Sequence, residues 1–152
     1  MDDSRIVSAI PAYTLRAASW QRDEAALRSV RESVFVQEQH VPPELEWDGL
    51  DAHCLHLLAV DAAGRALGTA RLLLADGILG RMAVLKPVRG CGIGSALLAR
   101  MVEEAKKRQM QEVVLNAQLR AQAFYTRFGF RGSGETFSDA GICHIRMSLK
   151  LT

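Results

Sequence analysis

One junction constrains this chain more than any other. An apolar run, Ile78-Leu79-Gly80-Arg81-Met82-Ala83-Val84-Leu85, is followed by Arg89-Gly90-Cys91-Gly92-Ile93-Gly94 and then by helical periodicity from Ser95 to Arg108. The order predicts a strand, a glycine-rich turn and a helix start. The turn and the first helical residues carry N–H groups with no internal partner, and the helix dipole adds partial positive charge. Glycine lets the backbone approach a phosphate with no Cβ in the way. A phosphate-bearing ligand is therefore expected along Gly90, Cys91, Gly92, Ile93, Gly94 and Ser95. The plainer alternative is a helix cap without a ligand.

Spacing narrows the ligand. A nucleoside-triphosphate loop needs Gly-x-x-x-x-Gly-Lys-Ser/Thr, and the chain has no Gly-Lys pair. A dinucleotide turn needs Gly-x-Gly-x-x-Gly, whereas Gly90-x-Gly92-x-Gly94 has another period. A second segment reads Ala121-x-x-Phe124-Tyr125-x-x-Phe128-Gly129-Phe130. Arg89-x-x-Gly92-x-Gly94 resembles the pyrophosphate loop of the GCN5-related N-acetyltransferases (GNAT). The second segment resembles that family's Ala-x-x-Phe-Tyr-x-x-x-Gly-Phe signature. One helix and one strand separate the two, as in the family. Val34-Phe35-Val36-Gln37-Glu38-Gln39, Ala117-Gln118, Gly134-Glu135-x-Phe137 and Gly141-Ile142-x-His144-x-x-Met147 are similar to the family's ElaA-type subgroup. They extend the resemblance to nearly the whole chain.

Composition excludes other classes. The 152 residues suit a single domain, 1–152, with a core of its own. The formal net charge is +2 and the basic residues are scattered, so no nucleic-acid partner is expected. No apolar run is long enough to span a membrane, and no basic-then-apolar leader opens the chain. Cys54, Cys91 and Cys143 are an odd number without framework spacing, which fits free thiols in a reducing cytoplasm. His53, Cys54 and His56 offer at most two converging ligands, as do Cys143 and His144, so no metal is expected.

The periodicities predict elements in the order β-α-β-β-β-α-β-α-β-β. Strands are expected at 13–17, 53–61, 66–75, 78–85, 112–117, 131–137 and 142–151, and helices at 21–36, 93–108 and 120–128. Ser19 is expected to cap the first helix. Residues 1–10 are read as disordered or as an extra edge segment. The fold class is α/β (α+β), a GNAT-like mixed, mostly antiparallel sheet of six to seven strands with helices on both faces. The crossover through the 93–108 helix makes its flanking strands parallel and adjacent. The resemblance implies that they splay apart.

The resemblance implies acetyl-CoA as co-substrate. Met82, Ala83, Val84, Arg89, the loop from Gly90 to Ser95, Gln118, Ala121 and Tyr125 would bind it. Many relatives carry an Asn where Gln118 stands. Tyr125 would protonate the leaving thiolate; the alternative is a structural tyrosine bonded to backbone. Amine acetylation also needs a proton acceptor. The loop from 38 to 51 holds Glu38, Glu44, Glu46, Asp48 and Asp51 with no Lys or Arg, a one-sign patch that would attract a cation. Glu38 and Glu46 are the base candidates, with Asp48 and His144 as acceptor contacts. The expected reaction is direct transfer, in a ternary complex, to a cationic primary amine on a small molecule or peptide. The competing reading is a non-catalytic acyl-CoA-binding sensor or scaffold. The two terminal strands offer an edge for a homodimer.

Overall fold

Alternation in Tyr13–Ala18 builds strand β1, and Ser19 ends it. The Ser19 hydroxyl accepts from the Arg22 N–H at 3.1 Å, which caps helix α1, Trp20–Arg31. The computed structural model describes residues 12–151, so the call on residues 1–10 lies outside the described residues. The first helix does not run regularly to Val36. Beyond Arg31 it widens into π-helical turns, Glu32–Glu38, in which the Gln39 N–H donates to the Val34 carbonyl. A single helical turn, α2, Pro43–Glu46, opens with proline at its first position, and a 3-10 turn, Asp51–His53, leads into the sheet.

The next elements are β2, Cys54–Asp61; β3, Ala66–Leu73; β4, Ile78–Val84; α3, Ile93–Lys107; β5, Glu112–Gln118; α4, Gln122–Arg127; β6, Arg131–Asp139; and β7, Ile142–Lys150. They form one seven-stranded sheet in the order β1-β2-β3-β4-β5-β7-β6. All pairings are antiparallel except β4 with β5. The fold class, element order and parallel crossover agree with the sequence. Boundaries shift by one to three residues at several ends, and the irregular 3-10 turns before β2 and α4 went unread.

Side-chain alternation sends Leu57 and Leu58 of β2 to opposite faces. Leu57, Leu72, Leu79, Val113 and Leu115 pack with Ile93, Leu97, Leu98 and Met101 of α3. On the other face Leu58 packs with Leu27 of α1, and Ala83 packs with Val30 and Val34. Burying each large aliphatic side chain contributes about 1.5–3 kcal/mol. The core therefore fixes the sheet from both sides, and the site is set in the gap that the sheet leaves. Strand β6 is the outer edge and is exposed along its whole length.

That gap is between β4 and β5. Only Ile78 and Val114 are in register as a pair, so the strands meet near the start of β4 and part beyond it. A bulge helps. Thr69 opposes Ala83 while Arg71 opposes Gly80, leaving Ala70 against both Arg81 and Met82. Arg81 takes φ of 46°, in the left-handed region that a non-glycine residue rarely adopts.

Candidate active site

The glycine-rich turn forms as its sequence requires. Gly90 has φ of 80° and Gly92, the N-cap of α3, φ of 87°. Nothing lies within 4 Å of the place where a Cβ would stand on either. The backbone N–H groups from Gly90 to Ser95 donate to no described residue; the ladder of α3 starts with Ala96 N–H to Gly92 O at 3.0 Å. Open space, free donors and a fifteen-residue helix dipole behind them suit a pyrophosphate. Cys91 is half-buried, with its sulfur 3.8 Å from the Arg89 carbonyl.

Arg89 does not reach over this loop. Its guanidinium grips both oxygens of Glu38 at 2.6 Å each, and its Nε donates to the Val84 carbonyl at 2.9 Å. This bears on two sequence expectations together, the phosphate contact of Arg89 and the base role of Glu38. Glu38 is committed to a fork-shaped ion pair whose hydrogen bonds hold its carboxyl below the usual glutamate range, a poor setting for a base. The Val84 carbonyl already has a donor.

A cleft of about 310 Å³ opens where β4 and β5 part. Its walls include Gly80, Arg81 and Met82 of β4, Asn116 and Gln118 of β5, Tyr125 of α4 and His144 of β7. The walls also include Phe35, Gln39, Val41, Leu45, Glu46 and Leu50. Ala121 also lines the cleft, while Ala83 is buried against Val30 and Val34 and does not. Glu38 and Asp48 are not in these walls; Glu38 borders a shallower hollow with Gln118, Arg120 and Cys143.

Tyr125 is 9% exposed, with Phe124 and Phe130 edge-on to its ring at 5.1 and 5.9 Å. Burial raises its phenol to about 12, so it stays protonated at any working pH. Its hydroxyl bonds to no backbone group among the described residues. Gln118 is tied on both sides: its Nε2 donates to Gln39 Oε1 at 2.8 Å, and its Oε1 accepts from Arg120 Nε at 3.0 Å. The longer side chain thus bridges to the helix after β1 as well as facing the cleft. His144 Nδ1 is 2.7 Å from the Ile142 carbonyl and its ring stacks on Phe137 at 5.8 Å. A carbonyl only accepts, so Nδ1 carries a proton, and in the neutral imidazole Nε2 is left as an acceptor.

The acidic loop looks different in three dimensions. Sequence presents it as a one-sign patch; the fold brings three arginines onto it. Arg31, 1% exposed, donates from Nε to Glu46 Oε2 at 2.8 Å and from Nη1 to Asp51 Oδ1 at 2.6 Å. Arg71 of β3 bonds to Asp51 Oδ1 at 3.0 Å and to both oxygens of Asp48. Arg81 adds its Nη2 to Asp48 Oδ2 at 3.3 Å. Trp20 and Trp47 lie 5.7 and 5.0 Å from the Arg31 guanidinium. Three of the five carboxylates meet three guanidiniums and Glu38 meets Arg89, so only Glu44, exposed, has no ion pair among the described residues. Asp48 is an ion-pair partner rather than a free acceptor contact. The signal that sequence reading missed is Arg31 at a core-facing spacing from Leu27 and Val34, and Arg71 in the middle of an apolar strand.

The three acids differ in proton affinity. Burial would raise Asp48, but the Arg71 hydrogen bond, the Leu50 N–H and the charges of Arg71 and Arg81 win and hold it at about 2. Asp51 is likewise held low against its burial by Arg31 and Arg71. Glu46 is different. Burial raises it, and Arg81, Arg31 and Arg71 offset that only in part, so it ends above the usual glutamate range. Its Oε1 makes no hydrogen bond among the described residues.

His56 is buried against Trp20, its Nε2 2.8 Å from the Asp51 carbonyl; burial lowers its pKa. Among the described residues no three His, Cys, Asp or Glu side chains are grouped as metal ligands, and no helix is long and apolar enough to cross a membrane.

Comparison with known proteins agrees with this fold. The sequence pattern of the acetyltransferase (GNAT) domain matches residues 17–151. A Bacillus subtilis protein named as an uncharacterized N-acetyltransferase, YjcF, is 38% identical over 121 residues, covering 78% of this chain and 86% of its own. Protein ElaA of Escherichia coli is 32% identical over 130 residues, 81% of this chain and 84% of its own. The crystal structure of an acyl-CoA N-acyltransferase from Pseudomonas aeruginosa superposes with a TM-score of 0.80 at 31% identity, covering 90% of this chain and 99% of that one. These matches favour an enzyme over a non-catalytic module, and the chain belongs to the GNAT family of acetyltransferases.

Proposed function

We propose that the chain moves the acetyl group of acetyl-CoA directly to a primary amine, with Glu46 as base and Tyr125 as acid. The family's acetyl donor is acetyl-CoA, a thioester that supplies the activated acyl carbon. Backbone N–H groups from Gly90 to Ser95 would hold its pyrophosphate. Met82, in the bulged strand, and Gln118, across the gap, would flank the pantetheine arm. A backbone donor of β4 aimed at the thioester oxygen would stabilise the charge that develops there.

The amine arrives protonated and must lose a proton before it can attack. Glu46 suits that task because its carboxyl sits above the ordinary range and one oxygen is unengaged. The new N–C bond forms as the C–S bond breaks. Tyr125, protonated before the transfer, would give its proton to the departing sulfur; the second proton, lost by the acylated nitrogen as it becomes an amide, would return to the phenolate, and the proton held by Glu46 would pass to solvent. His144 Nε2, at the wall of the cleft, would accept an N–H of the amine and orient it.

The observation that carries this reading is the cleft between β4 and β5, whose walls bring Tyr125 and Glu46 to one space, with the glycine-rich turn following the end of β4 and opening α3. The test is thiol release from acetyl-CoA across a panel of arylalkylamines, polyamines, amino acids, aminoglycosides and lysine peptides, with calorimetric binding of coenzyme A to the same protein. Turnover on any amine supports the reading, and Glu46→Gln should then lower it by about 10²-fold or more. Absence of coenzyme binding would overturn the assignment of the Gly90–Ser95 turn.

A further inference from the structure

The proposed reaction uses Glu46 but leaves Arg81 without a role. Arg81 is the residue at which β4 breaks its register, and it holds a left-handed φ without being glycine. Such strain persists where surrounding contacts impose it, and it gathers at functional sites. The contacts here all run to one segment. Arg81 Nη2 donates to the Leu45 carbonyl at 3.2 Å, the Glu46 carbonyl at 3.1 Å and Asp48 Oδ2 at 3.3 Å. Its Nε lies 3.1 Å from Glu46 Oε2, yet it is a buried donor with no hydrogen bond made. The carboxylate oxygen aligns with Arg31 Nε instead, at 2.8 Å. A small rotation of the Glu46 carboxylate would complete the second bond.

Met82 is the next residue along β4, on the donor side of the cleft. Arg81 therefore bridges the strand that borders the donor and the turn that carries the base. From this geometry we infer that Arg81 is the positioning residue of the acceptor site, fixing the Glu46 carboxylate against the bulge of β4. The inference rests on Glu46 being the base. Its backbone bonds hold α2 in place, and its charge faces the carboxylate. The groups facing Glu46 are Arg81 from β4, Arg31 from α1 and Arg71 from β3; Asp48 and Asp51 share those arginines, and His56 touches the Asp51 carbonyl. Arg81 leads the cations that oppose burial at Glu46.

The test needs no acceptor. Protein labelled with 13C at the glutamate carboxyls is titrated by NMR, and Glu46→Gln identifies the Glu46 signal. Arg81→Gln keeps two side-chain N–H donors but drops the charge. It should raise the Glu46 midpoint by about one pH unit. Arg81→Lys should restore most of that shift. Coenzyme A binding should stay within about threefold of wild type in both. An unmoved Glu46 midpoint in Arg81→Gln, with coenzyme binding intact, overturns the inference. A midpoint that stays raised in Arg81→Lys also overturns it, because a mere packing defect would then suffice. Should Arg81→Gln not fold, Arg81→Met carries the same titration. The base reading fails separately. If Glu46→Gln turns over 2-phenylethylamine, or whichever panel amine is active, as fast as wild type, Glu46 is not the base, whatever Arg81 does to its midpoint.

Discussion

Tyr125 and Asp48 show how differently two polar side chains were legible. Tyr125 could be singled out because a phenol beside an apolar signature has to be satisfied or used. Its hydroxyl makes no backbone bond among the described residues, which argues for use. Tyr125→Phe should lower kcat by about 10²-fold and leave coenzyme affinity unchanged, as steady-state kinetics with calorimetry would show. Equal kcat in the mutant would remove Tyr125 from the mechanism. Asp48 read as a free carboxylate because its partner Arg71 lies 23 positions away. Pairing across that separation is a tertiary fact. It has a consequence for stability. The folded carboxyl is held at about 2, below its unfolded value, so its contribution is present above the unfolded value and is lost as pH falls toward about 2. Glu46, shifted the other way, has the opposite sign. Denaturant unfolding followed from about pH 5 to about pH 2 should therefore show a steep loss that Asp48→Asn flattens. An equally steep loss in Asp48→Asn would assign the acid sensitivity elsewhere.

At the scale of elements, the regular pieces were readable and the irregular ones were not. Strand periodicity and the Gly-rich turn announced β4 and α3, because alternation and capping are local. The π-helical widening at Glu32–Glu38 and the bulge at Arg81 were invisible, because each is set by what packs against it. Yet these two irregularities shape the cleft: one brings Phe35 and Gln39 to its wall, the other parts β4 from β5. The start of α3 offers the clearest test at this scale. Gly92 holds a left-handed φ with empty space around it, so adding a methyl clashes with nothing and costs only backbone strain. Gly92→Ala should lose about 1–2 kcal/mol of stability in denaturant titration. It should also weaken coenzyme A binding, since the added Cβ stands where phosphate would approach. Unchanged affinity would mean that the ligand does not use this turn.

For the molecule as a whole, the decisive quantity is the balance of charge at the acceptor side. Counted along the sequence, the 38–51 loop is purely acidic and predicts electrostatic capture of a cation. Counted in space, Arg31, Arg71 and Arg81 meet Glu46, Asp48 and Asp51, while Arg89 meets Glu38. What remains around the cleft is an apolar rim, Leu45, Leu50 and Ile78, which are 51%, 40% and 36% exposed and all line it, and the single carboxylate of Asp139, which has no ion pair among the described residues. An exposed apolar rim around a net-neutral wall fits an amine with one positive charge and an apolar body better than a polycation. Two results follow. Arylalkylamines should show higher kcat/KM than polyamines or aminoglycosides of similar length. The KM for the active amine should change little between about 0.05 and about 0.5 M salt, because among the described residues only the isolated carboxylates of Asp139 and Glu44, not a patch, are left to be screened. A polyamine preference together with a KM that rises steeply with salt would mean that the ion pairs open when the acceptor binds. The loop would then act as the one-sign patch that its sequence suggests.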